Sequence, residues 1–296
     1  MELKNYIENL DAIAEAANPI KQGDWRDNNG ILHCGKCGKP MEHVTKIENI
    51  HLDLTNRSEE QVKRTEEMRE WLAGRKHRIP CECKEKERAD FEKMQKEEQI
   101  KDNVKFCFGA SENQTKHAFA FDDNQDSNAS RVSRQYSSGF EKYKNAGWNL
   151  IFYGDVGTGK TFYACAIANK LLQNGYKVKY TSLKRIIDDS IKLFLPLQSI
   201  LDMLCENDLI VLDDFGSECT SEEMYAKTYQ IVNEFYERKK PLVITTNLSK
   251  EKMTNSVTVE QQRIYSRLLE RSTMTEVKSP CGDRRFQKIE NERFNK

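Results

Sequence analysis

Three short stretches carry residues whose chemistry depends on their spacing. Gly154-Asp155-Val156-Gly157-Thr158-Gly159-Lys160-Thr161 has glycine at both fixed positions of a phosphate-binding loop, followed by Lys and Thr. Glycines let consecutive backbone N–H groups turn inward around phosphate oxygens, and the N-terminus of a following helix adds a favourable dipole. Lys160 is placed to reach the β- and γ-phosphates of ATP, and the Thr161 hydroxyl to ligate Mg2+. Downstream, Leu209-Ile210-Val211-Leu212 runs straight into Asp213-Asp214, as required when a buried strand delivers carboxylates to its C-terminal edge. Asp213 suits the magnesium sphere through water, and Asp214 suits polarisation of an attacking water. A third run, Leu242 to Thr246, ends in Asn247, whose amide can bond both the γ-phosphate and that water. Alone, Asn247 is a weak signal because Asn commonly ends strands. Its value lies in coming third.

A separate chemistry is written in the nine cysteines. Cys34-Gly35-Lys36-Cys37 and Cys81-Glu82-Cys83 form two close pairs, and four thiolates brought together tetrahedrally are a preferred structural environment for Zn2+. An all-sulfur set leaves no open coordination position, so the expected role is structural. His33 is an alternative ligand, and an exposed histidine beside a turn is its plainer reading. Cys107, Cys165, Cys205, Cys219 and Cys281 lack pairing and read as small buried apolar residues.

Composition bounds what kind of protein can position these groups. At 296 residues the chain is long enough for about two domains, each with its own core. Charged residues make up 32% and mean hydropathy is −0.79, while no apolar run approaches the roughly 18 residues of a membrane span. The first residues carry Glu2, Glu8, Asp11 and Glu15 in an amphipathic pattern instead of a basic leader, so a cytoplasmic protein with reduced cysteines and no membrane partner is expected. With 47 basic and 47 acidic groups, no global field recruits nucleic acid; any such binding falls to local patches. Only 14 Gly and 6 Pro argue against collagen-like or turn-dense all-β architectures.

The order of elements follows. A short amphipathic helix over 1–20 is expected, then the first cysteine stretch, a helix over 56–74, and a mixed-charge exposed helix over 84–104. Residues 111–138, rich in Ser, Asn, Gln and Asp, read as an irregular lead-in. Beyond them strands at 149–153, 177–181, 209–212 and 242–246 alternate with helices at 160–174, 183–205, 221–239 and 259–271. Such alternation implies a parallel sheet covered by helices on both faces.

Taken in order, the Gly154–Thr161 loop, Leu212-Asp213-Asp214-Phe215-Gly216 and Ile244-Thr245-Thr246-Asn247-Leu248 resemble the Walker A, Walker B and sensor motifs of the DnaC/IstB family of AAA+ helicase loaders. The resemblance covers about residues 107–296 and implies an α/β AAA+ P-loop ATPase domain over 105–296, preceded by a small helical zinc-binding adaptor over 1–104. Within it Arg263-Ile264-Tyr265-Ser266-Arg267-Leu268 is similar to the box that carries an arginine finger, with Arg267 the leading candidate and Arg263 the runner-up. Gly282-Asp283-Arg284-Arg285 resembles the family's closing basic segment. The insertion over 183–206, with Lys184, Arg185, Lys192 and Phe194, corresponds to helices that track single-stranded DNA. What this implies is an ATP-dependent loader of a replicative DnaB-like helicase onto single-stranded DNA, self-associating through its ATPase domain. A transposition helper of IstB type and an ATP-gated DNA-binding scaffold with little hydrolysis are the alternatives. Many AAA+ proteins carry Glu where this chain has Asp214, one methylene shorter; members of the family it resembles also use Asp, so activity is expected, and low turnover is compatible with it.

Overall fold

The computed structural model describes residues 2–17, 19–46, 58–109, 112–217, 221–256 and 258–279. They divide into two compact units, 1–96 and 97–296.

The first unit comprises α1 (Glu2–Ala17), β1 (Trp25–Arg26), β2 (Leu32–His33), β3 (Glu42–Val44), α2 (Glu59–Leu72), β4 (Lys76–Arg78) and the start of α3 (Glu82–Phe108). β1 pairs antiparallel with β2, and β3 with β4. These four short strands add to the expected helices, and each is too brief for an alternation pattern to reveal it. Its apolar centre is small: Leu32, Cys34, Met41 and Cys81 are buried together. Polar contacts do much of the fastening. Buried Glu42 accepts from Arg26 and from the Leu32 N–H, and Asp11 of α1 accepts from Arg75 and bonds His77 of β4. Ser58 and Gln61 cap α2 reciprocally.

α3 is continuous from Glu82 to Phe108, and the division between the two units falls inside it, after Lys96. The second unit continues through α4 (Glu112–Thr115), a 3-10 turn (Phe119–Phe121), α5 (Asn128–Ser138), α6 (Phe140–Ala146), β5 (Asn149–Tyr153), α7 (Lys160–Gln173), β6 (Val178–Thr181), α8 (Leu183–Lys192), α9 (Leu197–Cys205), β7 (Leu209–Leu212), α10 (Glu222–Glu237), β8 (Leu242–Thr246), α11 (Lys250–Thr254), α12 (Val259–Glu270) and β9 (Ser272–Glu276). The sheet is parallel throughout, in the order β6-β7-β8-β5-β9. This is the expected α/β architecture with a central parallel sheet.

Both faces of the sheet are covered, and the strand sequences show why. Leu150, Phe152, Leu209, Val211 and Val243 enter one core with Phe108, Tyr136, Tyr163 and Leu171, while Ile151, Ile210, Leu212, Leu242 and Ile244 enter the other with Ile186, Leu201, Phe235 and Leu268. Side chains alternate across a pleat, so uninterrupted apolar runs satisfy two cores at once.

Two elements differ from expectation. α5 lies within the stretch read as irregular, because its buried face is built from serines: the hydroxyls of Ser133 and Ser137 donate to carbonyls one turn back. β9 was not anticipated from Ser-Thr-Met-Thr-Glu; it is an edge strand whose polar composition needs only one partner, β5.

The two-sided core sets a prediction. Phe235 is fully buried on α10, so Phe235→Ala is expected to cost about 3–5 kcal/mol and lower the urea midpoint of the second unit. Phe121, 72% exposed, should shift stability by under about 0.5 kcal/mol as Phe121→Ala.

Candidate nucleotide site and metal centre

The loop between β5 and α7 adopts backbone that only glycine holds without strain. Gly154, Gly157 and Gly159 have φ of 139°, 79° and 102°. A Cβ on Gly154 would sit 2.6 Å from the carbonyl oxygen of Val277, which follows β9, so this position is closed to any side chain. Helices α8, α10, α11 and α12 each start with a Ser or Thr whose hydroxyl accepts a first-turn N–H. α7 starts instead at Gly159 with no side-chain cap, so the positive end of the helix meets the glycine loop directly. Lys160 is only 8% exposed, and its Nζ donates to the carbonyls of Gly154 (2.9 Å) and Asp155 (2.6 Å). Its ammonium is therefore held against the mouth of the loop.

Three strand ends meet beside that loop. The Asp213 carboxylate after β7 accepts three hydroxyls: Thr161 of α7 at 2.9 Å and Thr245 of β8 at 2.7 Å on Oδ1, and Tyr180 of β6 at 2.5 Å on Oδ2. Burial pushes the Tyr180 phenol up, so it remains a proton donor. Thr245 in turn accepts the Asp214 backbone N–H at 2.8 Å. Asp214 has φ of 54°, a left-handed setting uncommon outside glycine, and its side chain is exposed at the strand end. There the Asn247 amide donates to Asp214 Oδ1 at 3.0 Å. A cleft of about 500 Å³ opens here, lined by Tyr153 to Val156 and Thr158, by Asn247, Ser249 and Glu251, and by Glu276 to Ser279. Loop, carboxylate pair and amide are thus brought together.

The arginines separate. The Arg267 guanidinium donates to Asn233 (2.7 Å), to the Tyr229 hydroxyl (2.9 Å) and to the carbonyl of Arg263 (3.0 Å), and lies over the Tyr229 ring. Arg263, one turn earlier on α12, is exposed and its guanidinium bonds no described residue. Lys184, Arg185 and Lys192 are exposed on α8 while Leu183, Ile186 and Ile187 are buried; Phe194, between α8 and α9, is 94% exposed. Arg284 and Arg285, with Cys219 and Cys281, lie outside the described residues. Cys107, Cys165 and Cys205 are buried, as their isolation in sequence suggested.

In the first unit Cys34, Cys37, Cys81 and Cys83 converge, with all four Sγ atoms within 4.8 Å of one another. Cys83 Sγ lies 3.1 Å from Cys81, 3.4 Å from Cys34 and 3.6 Å from Cys37. Tetrahedral Zn–S bonds of about 2.3 Å imply sulfur separations of about 3.8 Å, so the set fits Zn2+ with little adjustment. Backbone N–H groups of Cys37 and Lys36 point at the Cys34 sulfur and lower its pKa to about 6, favouring thiolate. Asp24 braces this turn by accepting the Gly35 N–H, a bond that with the Lys21 N–H holds its carboxyl at about 2. His33 is not a ligand: one ring nitrogen faces Asp27, the other the carbonyl of Gly38, and the ring stacks on Trp25.

Tyr180 and Thr245 were not singled out from the sequence. Thr245 carried a readable signal, since it lies within the Thr-Thr-Asn strand end; Tyr180 carried none, because its partner lies 33 residues away. Among the described residues no helix is long and apolar enough to cross a membrane.

The family model described as IstB-like ATP binding protein matches residues 83–287. An uncharacterized protein YdaV of Escherichia coli K12 is 32% identical over 123 residues, 40% of this chain and 48% of that protein. The replicative helicase loader DnaC of the same strain is 31% identical over 131 residues, 43% of this chain and 52% of the loader. The chain thus spans about half the length of these curated relatives. A crystal structure of the DnaC helicase loader aligns with a TM-score of 0.47 and 22% identity, covering 56% of this chain and 99% of that one.

The cysteine geometry yields a measurable expectation. Protein purified without chelator should contain about one Zn2+ per chain by metal analysis. Chelation or Cys81→Ser should unfold the first unit, seen as loss of protection there in hydrogen exchange, while nucleotide binding by the second unit persists. Well under one zinc per chain would contradict the assignment.

Proposed function

The chain belongs to the family of IstB-like ATP binding proteins, and from that premise we propose that it is an ATPase that loads a replicative DnaB-like helicase onto single-stranded DNA. The observation that carries the catalytic part is the hydrogen-bonded convergence of Thr161, Asp213 and Thr245 beside Asp214 and Asn247 at the mouth of an uncapped, glycine-lined helix start.

In this reading Gly154, Asp155, Val156, Gly157, Thr158 and Gly159 wrap the phosphates with backbone N–H groups. Lys160 exchanges its two carbonyl partners for β- and γ-oxygens. Thr161 and Asp213 would hold Mg2+, and the ion would supply neutralisation of the charge that develops on the phosphates. Asp214 accepts a proton from the attacking water, and Asn247, already bonded to Asp214, orients that water. A carboxylate one methylene short of glutamate reaches less far, which fits slow, switch-like turnover.

An arginine from a neighbouring subunit completes the site, and self-association through the second unit supplies it. The hydrogen bonds favour Arg263 for that role, because it is exposed and uncommitted, whereas Arg267 fastens α12 to α10. The exposed Lys184, Arg185 and Lys192 beside Phe194 suit a single strand, with charge for phosphates and a ring for bases. The zinc-held first unit is the helicase-binding adaptor, an assignment that rests on family analogy. The protein works in the cytoplasm.

Lys160→Ala should weaken ATP binding or turnover at least about 100-fold, measured with a fluorescent nucleotide and a phosphate-release assay. Arg263→Ala should bind ATP as wild type yet lose about 10³-fold in assembly-dependent turnover, and mixing it with Lys160→Ala should restore part of the activity. If Arg267→Ala behaves this way instead, the assignment between the two arginines reverses. Pull-down against a DnaB-like helicase and against a transposase tests the partner; exclusive capture of the transposase would move the reading to a transposition helper.

A further inference from the structure

The three phosphate-site motifs leave Tyr180 out, yet its hydroxyl touches the carboxylate on which two of them depend. Tyr180 lies near the end of β6, paired with Val211 of β7 two positions before Asp213. The side chain is almost enclosed, 7% exposed, and its ring packs against Phe108 with centroids 5.6 Å apart. The hydroxyl donates to Asp213 Oδ2 at 2.5 Å.

A carboxylate turns about its Cβ–Cγ bond in a broad, roughly two-fold well, so its orientation must be set by its partners. The two threonines share Oδ1, and Tyr180 holds Oδ2. With Oδ2 anchored, Oδ1 stays in line with Thr161, whose proton points to Asp213 while a lone pair remains for a cation. We propose that Tyr180 is a positioning residue for Mg2+: it fixes the Asp213 carboxylate in its metal-ready orientation. This rests on the ATPase reading. Groups that orient a metal's ligands typically carry 10–100-fold of affinity, so the expected effect is large enough to measure.

The experiment is a Mg2+ titration of fluorescent ATP-analogue binding by full-length Tyr180→Phe, which keeps the ring against Phe108 and removes only the hydroxyl. The half-saturating Mg2+ concentration should rise about tenfold. Affinity measured in EDTA and the thermal unfolding midpoint should stay near wild type, which a loss of packing would not allow. A half-saturating Mg2+ concentration unchanged from wild type, in a variant that still binds nucleotide in EDTA, overturns the proposal. Should Tyr180→Phe lower the unfolding midpoint, Phe108→Leu, which disturbs the same ring packing but keeps the hydroxyl, is the control, and an equal rise in its Mg2+ requirement overturns the proposal. Failure of wild-type protein to bind nucleotide, or identical binding by Lys160→Ala, would instead overturn the ATPase reading itself.

Discussion

The constraint on which the second unit depends is that a strand buried on both faces must end in charge. β7 is wholly enclosed between two apolar cores, and its next two residues are Asp213 and Asp214. A carboxylate at the margin of such a core is tolerable only if its oxygens are bonded. Here the neighbouring elements supply hydroxyls: Tyr180 from β6, Thr245 from β8 and Thr161 from α7. The strand order β6-β7-β8 is therefore more than a packing solution. It sets a donor on each side of Asp213, and the parallel direction brings every strand's C-terminal end to the same edge.

The opposite requirement holds at the glycine loop, where polar groups must be left unsatisfied. Side-chain caps on α8, α10, α11 and α12 stabilise those helices by about 1 kcal/mol each. α7 forgoes that stabilisation at Gly159, and its Lys160 ammonium donates to the loop's own carbonyls. A triphosphate in the loop would meet both the N-terminus of α7 and that ammonium. The edge strand β9 shares in this: the chain after it passes so close to Gly154 that the loop is bounded by backbone on that side.

What was legible in the sequence follows from these two constraints. Leu209 to Leu212 and Leu242 to Thr246 could be read to the residue, since two-sided burial demands an unbroken apolar run and a polar stop. The loop was legible because few residue types besides glycine accept its dihedral angles. α5 and β9 were not, because serines bonded to their own helix and threonines on a sheet edge look the same in sequence as a loop. Tyr180 was illegible for a different reason: its role is set by strand order, which pattern alone does not reveal. The two arginines of α12 show the same limit, since residues one turn apart look equivalent until Asn233 and Tyr229 claim one of them.

The first unit obeys another logic. Among the described residues its buried apolar set is Leu32, Met41 and two of the cysteines, which alone is too little to offset the ordering of some tens of residues at about 1–2 kcal/mol each. Ion pairs such as half-exposed Arg26 with buried Glu42 and the enclosed Lys84 with Asp24 add specificity but are poor substitutes for apolar burial. A metal joining Cys34, Cys37, Cys81 and Cys83 would contribute on the order of 10 kcal/mol, enough to change the sign. Asp24 supports the same turn from outside, where Gly35 lies so near the Gly23 carbonyl that no side chain fits. Stability in this unit is thus concentrated at one point, while in the second it is spread over two cores. A perturbation of the cysteines should consequently unfold the first unit as a whole and leave the sheet, with its phosphate loop, intact.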